Sequence, residues 1–187
     1  MPAFRKLLPA ELSLYPDHLL RLDQDDRYAR FTGGVSSSVI ARHGAGIDWT
    51  RTILVGAFAR GTLRAAVELC TDRLFWPDEA ELAISVEREL QGRRVGSALM
   101  RRALTIARNR GIRRVHMLCL AGNLRMRALA RRFGGRLELD GGELSVTFAL
   151  DPPNQFSLAL EALEDGTGAV GAMLDRLPVP GLDRRAA

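Results

Sequence analysis

Lysine is almost missing from this chain: of its 27 basic residues only Lys6 is a lysine, and the others are arginines. Cysteine is nearly as scarce, limited to Cys70 and Cys119. Both lie in apolar, strand-like runs without CxxC or HExxH spacing. They therefore read as small buried hydrophobes, and neither a metal site nor a disulfide framework is expected. Aromatic residues make up 6% of the chain, which leaves little material for stacking on nucleic-acid bases. No apolar run approaches the roughly 20 residues that cross a bilayer, and the opening MPAFRKLLPAEL lacks the long apolar segment of a secretory signal. A cytoplasmic protein with no membrane partner is the expectation.

The composition that remains suits a soluble globular protein. With 187 residues, 47% hydrophobic and 26% charged, the chain is long enough for one domain with an ordinary core. Its formal charge of +5 and pI near 10.2 favour an anionic ligand or partner: a phosphorylated cofactor, an acidic protein or nucleic acid. Guanidinium groups suit bidentate contact with phosphate.

Along the chain, a first strand in AFRKLL precedes a helical stretch that Pro16 is expected to split in two, because proline lacks an amide donor. A glycine- and serine-rich segment with a short helix follows. Residues 52–59 and 62–70 read as strands joined at Arg60-Gly61, and a third strand runs through AELAISV, all three antiparallel neighbours. From Val95 the apolar period becomes helical, with Arg101, Arg102 and Arg108 on the opposite, solvated side and Gly111 as a left-handed cap. RRVHMLCL reads as a strand covered on both faces, completing a β-α-β unit. A helix over 123–132 and a hairpin around Gly141-Gly142 close the domain at about residue 150. Residues 151–187 read as one or two helices, packed on the domain or on a second subunit, and a loose tail, PVPGLDRRAA.

The turn LQGRRVGSALM, residues 90–100, carries the strongest chemical signal. A helix that starts directly after a strand aims unpaired amides and the positive end of its dipole beyond the strand. Phosphate is the natural occupant, and Gly92 and Gly96 permit close approach. A P-loop is excluded because no lysine follows the glycines, and a dinucleotide fingerprint is excluded because Gly92 and Gly96 stand four apart after antiparallel strands.

Gln91, Gly92, Arg93, Arg94, Val95 and Gly96 resemble the pyrophosphate signature of the GCN5-related N-acetyltransferases: glutamine or arginine, two residues, glycine, one residue, then glycine or alanine. Arg94 replaces the first of those glycines. NLRMRALARRFGG, from Asn123, resembles the family's second cofactor segment, and the likeness covers about residues 4–150, closest to the bacterial protein acetyltransferase branch. The resemblance implies an α/β fold with a mixed sheet of six to seven strands, a β-α-β core and helices on both faces. It also implies acetyl-CoA as co-substrate. Its pyrophosphate would be held by the main chain of Gln91 to Ser97, its pantetheine by the splayed strand end at Ile84, Ser85 and Val86, and by Asn123 and Met126. Arg94 suits an ordinary helical backbone and is strained if the site demands positive φ.

Acetyl transfer to an amine needs a base and a stabilised oxyanion. Strand alternation places Glu79, Glu81, Ala83 and Ser85 on one face and Leu82, Ile84 and Val86 on the core face. Glu81 is the first candidate for the base, and matches the catalytic glutamate of the protein acetyltransferase branch. Glu68 is the second, although a lone acidic residue in RAAVELC is more often an edge or cross-strand partner of an arginine. His116 reads as a hydrogen-bonded strand histidine, and His18 and His43 as surface residues. Asn123 suits a helix N-cap as well as a cofactor contact. Many relatives carry a tyrosine, as general acid, where this chain has Ala130.

The leading function is an acetyl-CoA-dependent N-acetyltransferase using direct attack in a ternary complex, with a protein lysine or a small amine as acceptor. Arg94 and Ala130 motivate an alternative, a catalytically silent CoA-binding regulatory module. Nucleic-acid association through the arginine side of the main helix ranks last.

Overall fold

The computed structural model describes residues 2–176, with side chains described to residue 170, so the expected tail at 178–187 lies outside the described residues. Seven strands form one mixed sheet in the order β1-β2-β3-β4-β5-β7-β6. They are β1 (Ala3–Lys6), β2 (Thr52–Ala59), β3 (Thr62–Thr71), β4 (Glu79–Val86), β5 (Arg114–Leu120), β6 (Arg136–Asp140) and β7 (Glu143–Ala149). Six helices accompany them: α1 (Leu14–Arg21), α2 (Gln24–Phe31), α3 (Ser37–Ala45), α4 (Val95–Asn109), α5 (Leu124–Arg132) and α6 (Gln155–Arg176). Only β4 and β5 run parallel, as expected for strands joined through a helix.

Two apolar cores lie on opposite faces of the sheet. On one, Val95, Leu99, Ala103 and Ile106 of α4 pack on Leu82, Ile84, Val115 and Met117. On the other, Tyr15, Leu19 and Ile40 from α1 and α3 pack on Leu54, Phe58 and Leu63. The Arg60-Gly61 turn has positive φ at both residues, the mirror-image geometry that matches strand twist, and Gly111 caps α4 at φ 78°.

Three expectations are corrected. Pro16 does not divide the first helical stretch. It lies in the first turn of α1, where amides have no helical partner, and the break falls at Asp23, whose side chain accepts from the Asp26 amide at 2.8 Å and caps α2. Pro16 is instead a packing surface: a methyl group on Gly44 of α3 would come within 2.9 Å of its ring. Strand β5 is covered on one face only, with Val115, Met117 and Cys119 buried and Leu118 61% exposed. The arginine side of α4 is not bare, because Arg101 pairs with Glu164 of α6 at 2.8 Å and Arg108 donates to the Pro152 carbonyl.

Candidate functional site

The sheet is split at its centre. Strand β4 pairs with β3 along Ala80 to Val86, and β5 pairs with β7 along its whole length, yet β4 and β5 meet only at Glu79–Arg114, Ala80–Val115 and Glu81–His116. Beyond Glu81 the two strands part. Among the described residues no ladder joins Leu82–Val86 to β5, so main-chain groups on that edge of β4 face an opening. The side chain of Ile84 is buried in the α4 core, Val86 is partly buried against it, and Ser85 is buried on the other face.

The opening ends at the turn into α4. A short 3₁₀ turn at Arg88–Leu90 buries Leu90, and the chain then passes through Gly92 at φ 72° and Arg94 at φ 62° before the helix begins at Val95. The first helical bond runs from the Ala98 amide to the Arg94 carbonyl at 3.0 Å. Among the described residues no amide from Gly92 to Ser97 donates to a main-chain carbonyl. The first turn holds no acidic residue, and Arg93 and Arg94 are exposed, so donors, dipole and charge favour an anion together. A methyl group on Gly96 would sit 3.8 Å from Leu129 and Val86, an ordinary contact. The protein's own packing therefore does not require glycine there. At Arg94 the left-handed backbone costs a non-glycine residue about 1–2 kcal/mol.

Gln91 spans the mouth of this opening. Its Nε2 donates to Asp26 Oδ2 of α2 at 2.6 Å and to the Val86 carbonyl at 3.0 Å, and its Oε1 accepts from Arg125 of α5. Asn123 caps α5, its Oδ1 accepting from the Met126 amide at 3.0 Å. Met126 is partly buried against the α4 core, and Ala130, whose methyl group has no ionisable proton, is fully buried in it.

At the vertex of the fork, Glu81 is exposed and makes no ion pair or hydrogen bond among the described residues. Cys70 of β3 is its register partner on one side and His116 on the other. Cys70 is therefore only part-buried on this open face, unlike buried Cys119, which corrects the shared reading of the two thiols. The His116 ring lies between Thr147 Oγ1, 3.2 Å from Nδ1, and the Glu79 carboxylate, 3.4 Å from Nε2, and Glu79 also holds Arg114.

Polar groups under α1–α3 surround this face. Glu68 accepts from the Tyr15 hydroxyl at 2.7 Å and Arg30 at 2.7 Å, with His43 Nε2 at 3.1 Å. Burial raises its pKa, but the His43 hydrogen bond and the Arg30 charge hold it below the ordinary carboxylate value. Burial beside this pair pushes the Tyr15 phenol up. His18 is fully buried, against the expectation of a surface residue: its Nε2 lies 2.9 Å from Ser85 Oγ and its Nδ1 3.0 Å from Glu87 Oε1. Glu87 also binds Arg21 at 3.0 Å and Arg64 at 2.7 Å. Burial lowers the His18 pKa, while Glu87, although desolvated, is held at about 2 by hydrogen bonds from His18 and Arg64. This line pins α1 to the half of β4 that has left β5. Its signal in the sequence is helical spacing, since His18 falls three residues after Tyr15 and beside Leu19, both fully buried.

A sequence profile described as the acetyltransferase (GNAT) family matches residues 12–135, and the chain belongs to that family. Among solved structures it is similar to the GNAT domain of S. lividans PAT, with 24% identity over 80% of this chain and 90% of that one, at a TM-score of 0.69. An acetyltransferase of the GNAT family from Streptococcus pneumoniae shares 17% identity over 81% of this chain and all of that one, TM-score 0.64. The PaiA N-acetyltransferase from Thermoplasma acidophilum, solved in complex with coenzyme A, shares 18% identity over 80% and 99%, TM-score 0.59. These likenesses establish the fold: a seven-stranded mixed sheet with helices on both faces. Among the described residues no three metal-binding side chains come together, and no helix is long and apolar enough to cross a membrane.

Proposed function

We propose that the protein is a cytoplasmic N-acetyltransferase that takes acetyl from acetyl-CoA and delivers it to a primary amine, a protein lysine or a small molecule, by direct attack in a ternary complex. The observation that carries this reading is the fork between β4 and β5, open on the edge of Leu82–Val86 and ending at the unpaired amides of the turn into α4. Those groups fit the co-substrate: Gln91 to Ser97 would hold its pyrophosphate, Ile84, Ser85 and Val86 would offer main-chain groups to its pantetheine, and Asn123 and Met126 would border it. The coenzyme A held by the T. acidophilum neighbour supports the same reading. Acetyl-CoA supplies the activated acyl carbonyl.

The remaining work belongs to side chains at the vertex. Glu81, exposed and without a partner among the described residues, accepts the proton that the acceptor ammonium must lose, directly or through one water. Glu68, engaged with Tyr15, Arg30 and His43, serves by ordering the wall behind that carboxylate. With Ala130 in the core, the proton returned to the leaving group comes from Glu81 or from water.

Calorimetric titration with acetyl-CoA, followed by thiol release with lysine peptides and small amines, tests the proposal. Binding with turnover on an amine is the expected outcome. Absence of binding refutes it, and binding without turnover on any amine assigns the chain to the silent CoA-binding class.

A further inference from the structure

Helix α6 is oriented with its polar side toward the domain. Ser157 and Glu164 are buried on the inner side, Glu161 and Asp165 hold Lys6 Nζ at 2.7 and 2.6 Å, and Asn109 donates to Glu161 at 2.8 Å. Gly168 completes this side, since a methyl group there would meet the Phe4 carbonyl of β1 at 2.8 Å. The outer side is apolar. Phe156, Leu160, Leu163, Thr167 and Val170 are exposed, with Phe156 at 74%, Leu163 at 66% and Val170 at 60%. Their separations of four, three, four and three residues are those of a seam between paired helices. Ala159, Ala162, Gly166 and Ala169 flank the seam, small and exposed, so a partner backbone can approach closely.

We propose that α6 pairs antiparallel with α6 of a second copy of this chain across a two-fold axis. Among the described residues nothing covers the seam, because ion pairs fix the opposite side of the helix against β1 and α4. Neither seam nor flank carries a charge, in a chain with 26% charged residues, so a charged partner surface would be desolvated without compensation. The fitting occupant is an uncharged helix with the same spacing, and among the described residues only α6 exposes one. A two-fold axis lets one patch complement itself. A helix of 22 residues is about 33 Å long and about 10 Å wide. That face is smaller than the roughly 800 Å² per partner of a standard interface, so the pair dissociates on dilution.

Sedimentation velocity of the whole chain, from micromolar to submillimolar, tests this pairing. The expected result is a reversible shift from monomer to dimer mass, abolished by Leu163→Glu with circular dichroism and Tm unchanged, since Leu163 is exposed. Leu163→Cys, at the middle of the seam, should give a crosslinked dimer with a short bismaleimide, while the parent chain does not. A wild type that stays monomeric throughout, or a dimer that survives Leu163→Glu, overturns the proposal.

Discussion

Glu81 and His116 are partners in the last rung that joins β4 to β5, so a carboxylate and an imidazole share one face at the point where the sheet opens. The imidazole is hydrogen-bonded through one nitrogen to Thr147 and has Glu79 3.4 Å from the other, whereas the carboxylate stands free among the described residues. That difference favours Glu81 over His116 for the proton-accepting part proposed above. Glu81→Gln should lower kcat by about 10²- to 10⁴-fold while the Kd for acetyl-CoA stays within a factor of about two. Steady-state kinetics beside calorimetry measure both, and unchanged turnover removes Glu81 from the mechanism.

Arg94 has left-handed backbone geometry, and its side chain makes no hydrogen bond or ion pair among the described residues. Arg94→Gly should relieve about 1 kcal/mol, seen as a rise in Tm of roughly 2–4 °C. A fall in Tm would mean that the guanidinium contributes more than the backbone strain removes.

Acid should loosen the junction of α1 with β4 in two stages. The native His18 pKa is lowered from 6.5, so neutral His18 contributes stability in full above 6.5, and this is lost as pH falls below that value. Glu87, lowered from 4.5 to about 2, contributes in full above 4.5 and loses its share between there and 2. Melting curves from about pH 7 to pH 3 should slope downward throughout, and Glu87→Gln should flatten the more acidic part. A level curve for the wild type contradicts the assignment.

Gln91 is the hydrogen-bonded link between α2 and α5 at the mouth of the fork. Its replacement by alanine should raise the KM for acetyl-CoA roughly tenfold, equivalent to about 1.4 kcal/mol, with kcat little changed. Loss of kcat alone would place Gln91 in the chemistry instead.

Glu68→Ala leaves Arg30 buried without its carboxylate. Removing one member of a buried pair costs about 3–5 kcal/mol, which urea denaturation should show, while kcat per folded molecule falls far less than in Glu81→Gln.

The reach of the sequence follows from the range of the interactions. Strand alternation, the Arg60-Gly61 turn, the Gly111 cap and the heptad-like period of α4 are set by residues close in the chain, and all are legible. The Gln91–Gly96 spacing likewise marks the turn. The fork is not legible in the local pattern, and only the family resemblance implies a splayed strand end, because where β4 leaves β5 depends on β5 following β7 and β4 following β3, pairings that are not set by neighbours in the chain. The burial of His18 depends on Ser85 and Glu87 in the same way. Pro16 misleads because proline in a first helical turn costs no hydrogen bond, whereas a few residues later it would break the helix. The backbone state of Arg94 is invisible, since arginine carries no preference for positive φ and only the turn imposes it.

A chain proposed to deliver acetyl to amines has a single ε-amino group of its own, and Lys6 holds it between Glu161 and Asp165. The catalyst is therefore almost blank as a target. Acetyl-lysine raised in a reaction mixture reports on the acceptor with little background from the enzyme, and any label on the enzyme's side chains maps to one peptide.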